Sequence, residues 1–315
     1  MVFLQNQLEN FWERGDYVSK FTSYRIEPEQ AGLLLEDYLK QILQFSGRRV
    51  QRLTRQKGIL LNGRVAFLQK KLKAGDQLKI KIETDEAYGV EPEAGPVEIL
   101  YEDEFMLVLN KPPRQLVHPA GQTAAGTLAN YLAYEFQQRG VCSAIRPLHR
   151  LDRDTSGCII FAKDANSQFL LEQQLKDKRL QRQYTALTAG CPETATGVIE
   201  APIGRDPVRP NRRAVRKDGD PASTLYRVAF SAGGMSQLEL TLLTGRTHQI
   251  RVHLAHILCP ILGDGMYGRR SPWISRQALH ASKITFCRLS DQKEITVEAS
   301  LPQDFHQALL HFEEE

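Results

Sequence analysis

The chain has 315 residues, of which 42% are hydrophobic and 25% charged, and a formal net charge of +4. These proportions belong to a globular protein with room for a well-buried core and two domains, and they exclude disordered and fibrous classes. No run approaches the roughly eighteen apolar residues of a membrane-spanning helix, and residues 1–20 carry Glu9, Glu13 and Asp16 where a signal peptide would have its apolar centre. No membrane association is therefore expected. The five cysteines (142, 158, 191, 259 and 287) are odd in number and scattered, without a CxxC pair or zinc spacing. Reduced thiols in a cytoplasmic protein are the simplest account.

Residues 1–20 read as an N-terminal extension with a short amphipathic helix. From Ala31 to Leu43, Leu33, Leu34, Tyr38, Leu39 and Ile42 recur at helical spacing. Ser46-Gly47 ends that helix and caps a second one from about Arg48 to Gln56. Arg48, Arg49, Arg52 and Arg55 recur at three and four residues and so share one face, while Val50 and Leu53 lie on another. The stretch from Gly58 to Val65 predicts a strand, an Asn-Gly turn and a second strand, and Gln77 to Ile82 alternates as a third. Between Tyr38 and Gly75 there are ten Lys or Arg and no acid, so the rest of the chain sums to 4 − 10 = −6. Solubility is served equally well by mixed signs, so this one-signed helix-and-hairpin unit reads as a phosphate-backbone binder.

Thr84 to Pro96 is acidic, punctuated by Pro and Gly, and without apolar period, which predicts a linker. Ile99 to Tyr101 and Phe105 to Asn110 read as strands, the second ending at Lys111-Pro112-Pro113. Thr127 to Arg139 is helical. Next comes His149-Arg150-Leu151-Asp152-Arg153-Asp154-Thr155-Ser156-Gly157, followed by the apolar run Cys158 to Ala162. A carboxylate flanked by arginines at the mouth of a core strand favours its ionised form, which suits a nucleophile or base better than an acid.

Asn166 to Lys178 is again helical, and Gln183 to Gly190 alternates as a strand. Arg205, Arg209, Arg212, Arg213, Arg216 and Lys217 cluster in a Pro- and Gly-punctuated loop from Gly204 onward, read as a mobile arm gripping RNA backbone. An apolar strand at Leu242-Leu243 then runs through Thr244-Gly245-Arg246 into a helix with Thr247 as its N-cap candidate. This gathers Arg246, His248 and Arg251 at a strand end and helix start, where they can reach a ligand. Ile295 to Ala299 reads as a strand and Pro302 to Phe312 as a terminal helix. The whole is an α+β chain with a largely antiparallel mixed sheet flanked by helices.

Four of these strings resemble the RluA/RluD-type pseudouridine synthases that modify large-subunit ribosomal RNA and some transfer RNAs. They are His149-Arg150-Leu151-Asp152-x-x-Thr155-Ser156-Gly157, Gln183-Tyr184-x-Ala186 with Gly190, Gly245-Arg246-Thr247-His248-Gln249-Ile250-Arg251, and Gly263-Asp264-x-x-Tyr267-Gly268. Residues 21–83 are similar to the α-L RNA-binding module found in a ribosomal protein and several RNA-modifying enzymes. The resemblance implies an N-terminal RNA-binding domain over 21–83, a linker over 84–97, a catalytic domain over 98–303 and a C-terminal helix over 304–315.

It further implies conversion of uridine to pseudouridine, with Asp152 as nucleophile at either C1′ of the ribose or C6 of the base. Arg246 would pair with Asp152, Tyr184 would pack against the uracil and aid proton transfer, and Arg150 would fill the place of the extruded base. His149, His248, Arg251, Arg48, Arg49, Arg52, Arg55, Arg212 and Arg213 are the expected substrate-binding residues. No cofactor is expected, in keeping with the lack of a P-loop or a GxGxxG in βαβ context. No metal is expected either, since His248, His253 and His256 do not fit a zinc spacing. RNA is the expected partner, with 23S ribosomal RNA first and transfer RNA as an alternative, bound by a monomer that needs no protein partner. Two other classes are weighed against this. A non-catalytic ribosome-associated RNA-binding protein would need the basic module but not Asp152, Tyr184 and Arg246 together. A carboxylate-based hydrolase would need a second acid, for which Asp154 is the nearest candidate.

Overall fold

The computed structural model describes residues 21–81, 85 and 87–311, which fall into two units divided between residues 85 and 87. The helix expected in residues 1–20 lies outside the described residues. In the first unit, strands β1 (Phe21–Arg25), β2 (Ile59–Leu61), β3 (Arg64–Val65) and β4 (Gln77–Lys81) form an antiparallel sheet in the order β1-β4-β2-β3. Asn62 and Gly63 make the β2–β3 turn with φ of 51° and 79°, the left-handed geometry that Asn-Gly supplies cheaply.

The first helix begins later than its apolar spacing predicts. Leu33 and Leu34 are extended, because Leu33 O accepts from Leu72 N at 2.9 Å and Leu34 bridges Lys71. Pairing with that strand-like segment overrides local helix preference. Helix α1 (Leu35–Asp37) then widens over Tyr38–Ile42, where Leu43 N donates to Tyr38 O five residues back. Helix α2 (Gly47–Arg55) is capped by Ser46, whose Oγ accepts from Arg49 N at 3.2 Å. Val50 and Leu53 of α2 enter a core shared with Leu35, Leu39, Ile59, Leu78 and Ile80. Arg48, Arg52 and Arg55 are exposed; Arg49 is half-buried, with its guanidinium 3.7 Å from the Phe45 ring centroid.

The second unit is built on a ten-stranded sheet. Its main path runs β10 (Thr196–Glu200), β13 (Ser223–Ala232), β14 (Met235–Leu242), β9 (Gln181–Ala189), β15 (Leu279–Cys287), β8 (Ser156–Ala162), β6 (Met106–Lys111), β5 (Ile99–Glu102). Strand β7 (Arg146–Pro147) pairs with β8, and β16 (Glu294–Glu298) pairs with β15. Every pairing is antiparallel except β8 with β15, which is parallel. All seven residues of β8 are buried because helices cover both its faces. Ile159 and Phe161 pack with α3 (Leu128–Gln138), and Cys158 and Ile160 pack on the face that holds Leu171 of α4 (Ala165–Lys176). That is why the sequence there is an unbroken apolar run and not an alternation. Gly157 sits at φ 106°, where a Cβ would lie 2.2 Å from Ala281 O. Only glycine allows β8 and β15 to approach this closely.

Three expectations are revised by tertiary contacts. From residue 87 the predicted linker belongs to the second unit: Tyr88 O accepts from Ile145 N, Glu93 N donates to Asn130 O, and Glu93 Oε2 accepts from Gly126 N. The basic segment after Gly204 is a hairpin of β11 (Ile203–Arg205) and β12 (Arg213–Val215), whose connection is ordered by Asp206 accepting from the Val208 and Arg209 amides. Helix α5 (Gln249–His256) starts after His248, so Thr247 is not its N-cap. Helix α6 (Gln303–Leu310) follows β16.

Candidate active site

Asp152 stands on the loop between β7 and β8, and its main chain is held from inside the protein. Lys111 ends β6 with 0% of its surface exposed. Its ammonium donates to three carbonyls, Pro112 at 2.7 Å, Gln115 at 2.8 Å and Arg153 at 3.0 Å, which uses every hydrogen it has. Burial pushes the Lys111 amine down to about 7, with Asp154 opposing, Arg276 adding to the effect and Asp152 opposing. The next carbonyl, that of Asp154, accepts from Arg276 Nη1 at 3.0 Å. Arg276 is fixed in turn by a two-pronged pair with Asp304 of α6, at 2.7 and 2.9 Å. Two buried basic side chains, Lys111 at the end of β6 and Arg276 ahead of β15, thus set the path of the chain directly after Asp152.

The Asp152 carboxylate, 18% exposed, accepts through Oδ2 from Arg251 Nη1 at 3.0 Å. Arg251 lies in the first turn of α5 and spends its other donors on Asp264, with Nε at 2.7 Å and Nη2 at 2.8 Å. Asp264 is 1% exposed and also accepts from the amides of Met266 and Tyr267. Burial opposes the Arg251 charge, but Asp264 and Asp152 hold its pKa well above the ordinary range. The planar fork therefore serves two carboxylates, the buried Asp264 that fixes its orientation and the part-exposed Asp152.

Arg246, the residue expected to pair with Asp152, lies elsewhere. Its Nε donates to Pro221 O at 3.0 Å and its Nη1 is 4.0 Å from Asp220, with 40% of the side chain exposed. Both arginines belong to the same seven-residue string. The turn at Gly245 leaves the first on the rim, while the helix carries the second inward. The string itself holds no sign of which reaches Asp152; Asp264, a second carboxylate in a neighbouring motif, was the available hint.

Tyr184 on β9 is buried, which raises its pKa, with Arg182 opposing and Asp152 reinforcing, so the phenol keeps its proton. His248 brings Nε2 to 3.9 Å from Asp152 Oδ2. His149 departs from its expected substrate contact. Its Nε2 accepts from Ile160 N at 3.4 Å, and burial lowers it to about 3, so it is a neutral anchor of the β7–β8 loop. Arg150 is exposed one residue along. Arg212 and Arg213 are half-buried in the hairpin, and Arg213 N donates to the Tyr267 hydroxyl at 2.8 Å. His253 is fully buried between Thr224 Oγ1 and Ala201 O, and no cluster of three or more His, Cys, Asp or Glu among the described residues is arranged to hold a metal.

A part-exposed carboxylate clamped by a buried arginine, with exposed arginines nearby in the chain at positions 150 and 153, is the arrangement expected of an enzyme that uses a carboxylate on an anionic substrate. Comparison with known proteins specifies the class. The family model for RNA pseudouridylate synthase matches residues 105–256, and that for the RluD ribosomal pseudouridine synthase N-terminal domain matches residues 22–78. The chain is 41% identical to the uncharacterized RNA pseudouridine synthase YhcT of Bacillus subtilis, over 89% of this chain and 93% of the relative. It is 37% identical to ribosomal large subunit pseudouridine synthase D of Nitrosomonas europaea, over 87% and 83%. Its fold is similar to that of human RNA pseudouridylate synthase domain containing 4, with a TM-score of 0.56 at 24% identity, covering 69% of this chain and 93% of that one. The chain belongs to the RNA pseudouridine synthase family, and it is a pseudouridine synthase.

Proposed function

We propose that this enzyme isomerises uridine in large-subunit ribosomal RNA, in the cytoplasm, with Asp152 as the nucleophile. The choice of RNA is supported by the likeness of residues 22–78 to the RluD N-terminal domain and by relatives named for the large subunit. The choice of nucleophile is carried by the Asp152–Arg251–Asp264 arrangement, in which a buried arginine holds the part-exposed Asp152 carboxylate at the mouth of the sheet.

A uridine in folded RNA must leave its stack to reach that carboxylate. Arg150, exposed two residues before Asp152, fills the vacated place. Asp152, held ionised and oriented by Arg251, attacks C1′ and displaces uracil at N1, or adds to C6 of the base before the N1–C1′ bond breaks. C1′ then bonds to C5 as Asp152 is released as a free carboxylate. The C5 hydrogen leaves as a proton and N1 gains one, with Tyr184 packed on the uracil and aiding that transfer. The arginines of α2 and of the β11–β12 hairpin bind phosphates. The enzyme is taken to act as a monomer without a protein partner, which sedimentation of the purified protein tests.

Tritium release from RNA carrying uridine labelled at C5 tests the reading. The unsubstituted enzyme should release label and Asp152→Asn should not; no release on large-subunit RNA by the unsubstituted enzyme would overturn it. A map of pseudouridines in cells with and without the gene distinguishes ribosomal from transfer RNA targets.

A further inference from the structure

His248 has a left-handed backbone, with φ 59° and ψ 20°, at the point where the β14–α5 connection enters the helix. Residues other than glycine hold this conformation when the surrounding structure needs the side chain in one place. Here it sets the imidazole between two partners. Nδ1 lies 2.8 Å from the Tyr267 hydroxyl, and Nε2 lies 3.9 Å from Asp152 Oδ2.

The protons on this chain of contacts follow from counting donors. Tyr267 Oη accepts from Arg213 N at 2.8 Å, so its own hydrogen is available to His248 Nδ1. His248 then carries its proton on Nε2, facing the carboxylate. The other tautomer would turn an Nε2 lone pair toward Asp152 and leave the Tyr267 hydrogen without a bonded acceptor among the described residues. The charged groups acting on the ring are Asp152 and Asp264, which favour its protonation, and Arg251 and Arg213, which oppose it. Burial pushes the imidazole pKa down, with Asp152 partly opposing. The ring is neutral at neutral pH.

Both groups that approach Asp152 do so at the same oxygen, Arg251 Nη1 at 3.0 Å and His248 Nε2 at 3.9 Å, each to Oδ2. We propose that His248 and Tyr267 are positioning residues that, with Arg251, hold Oδ2 of Asp152 and so present Oδ1 to the uridine, Tyr267 acting by fixing the His248 tautomer. At 3.9 Å the approach is longer than a hydrogen bond and acts as an electrostatic contact between the Nε2–H and the carboxylate. Because Arg213 hangs its backbone on the same hydroxyl, the basic hairpin and the nucleophile share one anchor. This inference rests on the assignment of Asp152 as nucleophile.

Tyr267→Phe keeps the ring edge-on to His248 at 5.6 Å and beside the Arg251 guanidinium at 5.0 Å but removes the hydroxyl. The single-turnover rate of pseudouridine formation at saturating RNA should fall about 10- to 100-fold, the usual cost of losing a supporting hydrogen bond; measuring at saturation separates this from any weaker RNA binding caused by Arg213 N losing the same hydroxyl. The ¹⁵N spectrum of His248 should move away from a pure Nε2–H tautomer. His248→Gln, whose amide N–H stands where Nε2–H stood, should retain more activity than His248→Leu, and adding Tyr267→Phe to His248→Gln should cost nothing further, because a glutamine has no tautomer to fix. An active unsubstituted enzyme with Tyr267→Phe at full rate, or with the same Tyr267→Phe loss in the glutamine background, overturns the inference. An inactive unsubstituted enzyme overturns the functional reading beneath it, and this inference with it.

Discussion

Arg251 and Asp152 lie 99 positions apart in the chain and 3.0 Å apart in space. The contact joins the two most informative motifs of the sequence, and it runs through the second arginine of its motif, not the first. Arg251→Gln should therefore lower the single-turnover rate by about 10²- to 10³-fold and destabilise the fold by about 3–5 kcal/mol, since it strands the buried Asp264. Arg246→Gln should leave the rate at saturating RNA near its starting value. Equal losses in the two variants, measured by tritium release, would contradict the pairing.

Lys111 serves the site through the main chain. Lys111→Met keeps the length of the side chain and strips three carbonyls of their donor. A loss of about 3 kcal/mol in urea unfolding is expected at neutral pH, accompanied by a slower chemical step as the loop after Asp152 loosens.

Gly157→Ala places a methyl group against Ala281 O where glycine alone fits. The parallel β8–β15 contact has to open, at a cost of more than about 3 kcal/mol, read as a fall in melting temperature or loss of soluble protein.

Acid should weaken the fold before carboxylates titrate. His280 accepts from Ser156 Oγ through Nδ1 and donates to Ala299 O through Nε2, and burial pushes its pKa down to about 4; burial likewise takes His149 down to about 3. Unfolded chains protonate these rings near pH 6.5, the folded protein only well below it. This stability is fully present above that pH and drains away as pH falls toward 4, where the unfolded state binds more protons. Urea midpoints taken at about pH 7.5, 6 and 5 should decline steadily, with a shallower decline in His280→Gln. A flat profile would contradict the neutral burial of these rings.

The exposed arginines of α2 should act on affinity alone. Replacing Arg48, Arg52 and Arg55 by Gln should weaken RNA binding and reduce the slope of log K against log salt by about 0.7–0.9 for each phosphate that is no longer neutralised. The rate at saturating RNA should stay unchanged.

Much of this was legible in one dimension. Helix α2 declared itself by Ser46, by Val50 and Leu53 on one face and by arginines on the other, because capping and amphipathic spacing are local properties. Strand β8 was marked by its apolar run and the turn before it. Non-local contacts decided the places where the fold departs from local spacing. Leu33 and Leu34 pair with the segment around Leu72 instead of joining a helix, and residues 87–97 are tied to α3 and its N-terminal turn instead of spanning free space. The basic segment after Gly204 folds back on itself as a hairpin.

The sequence by itself determined the family, the basic N-terminal module, and Asp152 at the mouth of a buried strand, since those lie in residue types and short spacings. Tertiary structure decided which arginine holds Asp152, that Asp264 orients it, that Lys111 and Arg276 brace the loop, and that His149 faces inward. The reason is physical: a guanidinium reaches whichever carboxylate the helix and loop geometry bring within about 3 Å, and that geometry is a property of the packed sheet, not of the string of residues that carries the charge.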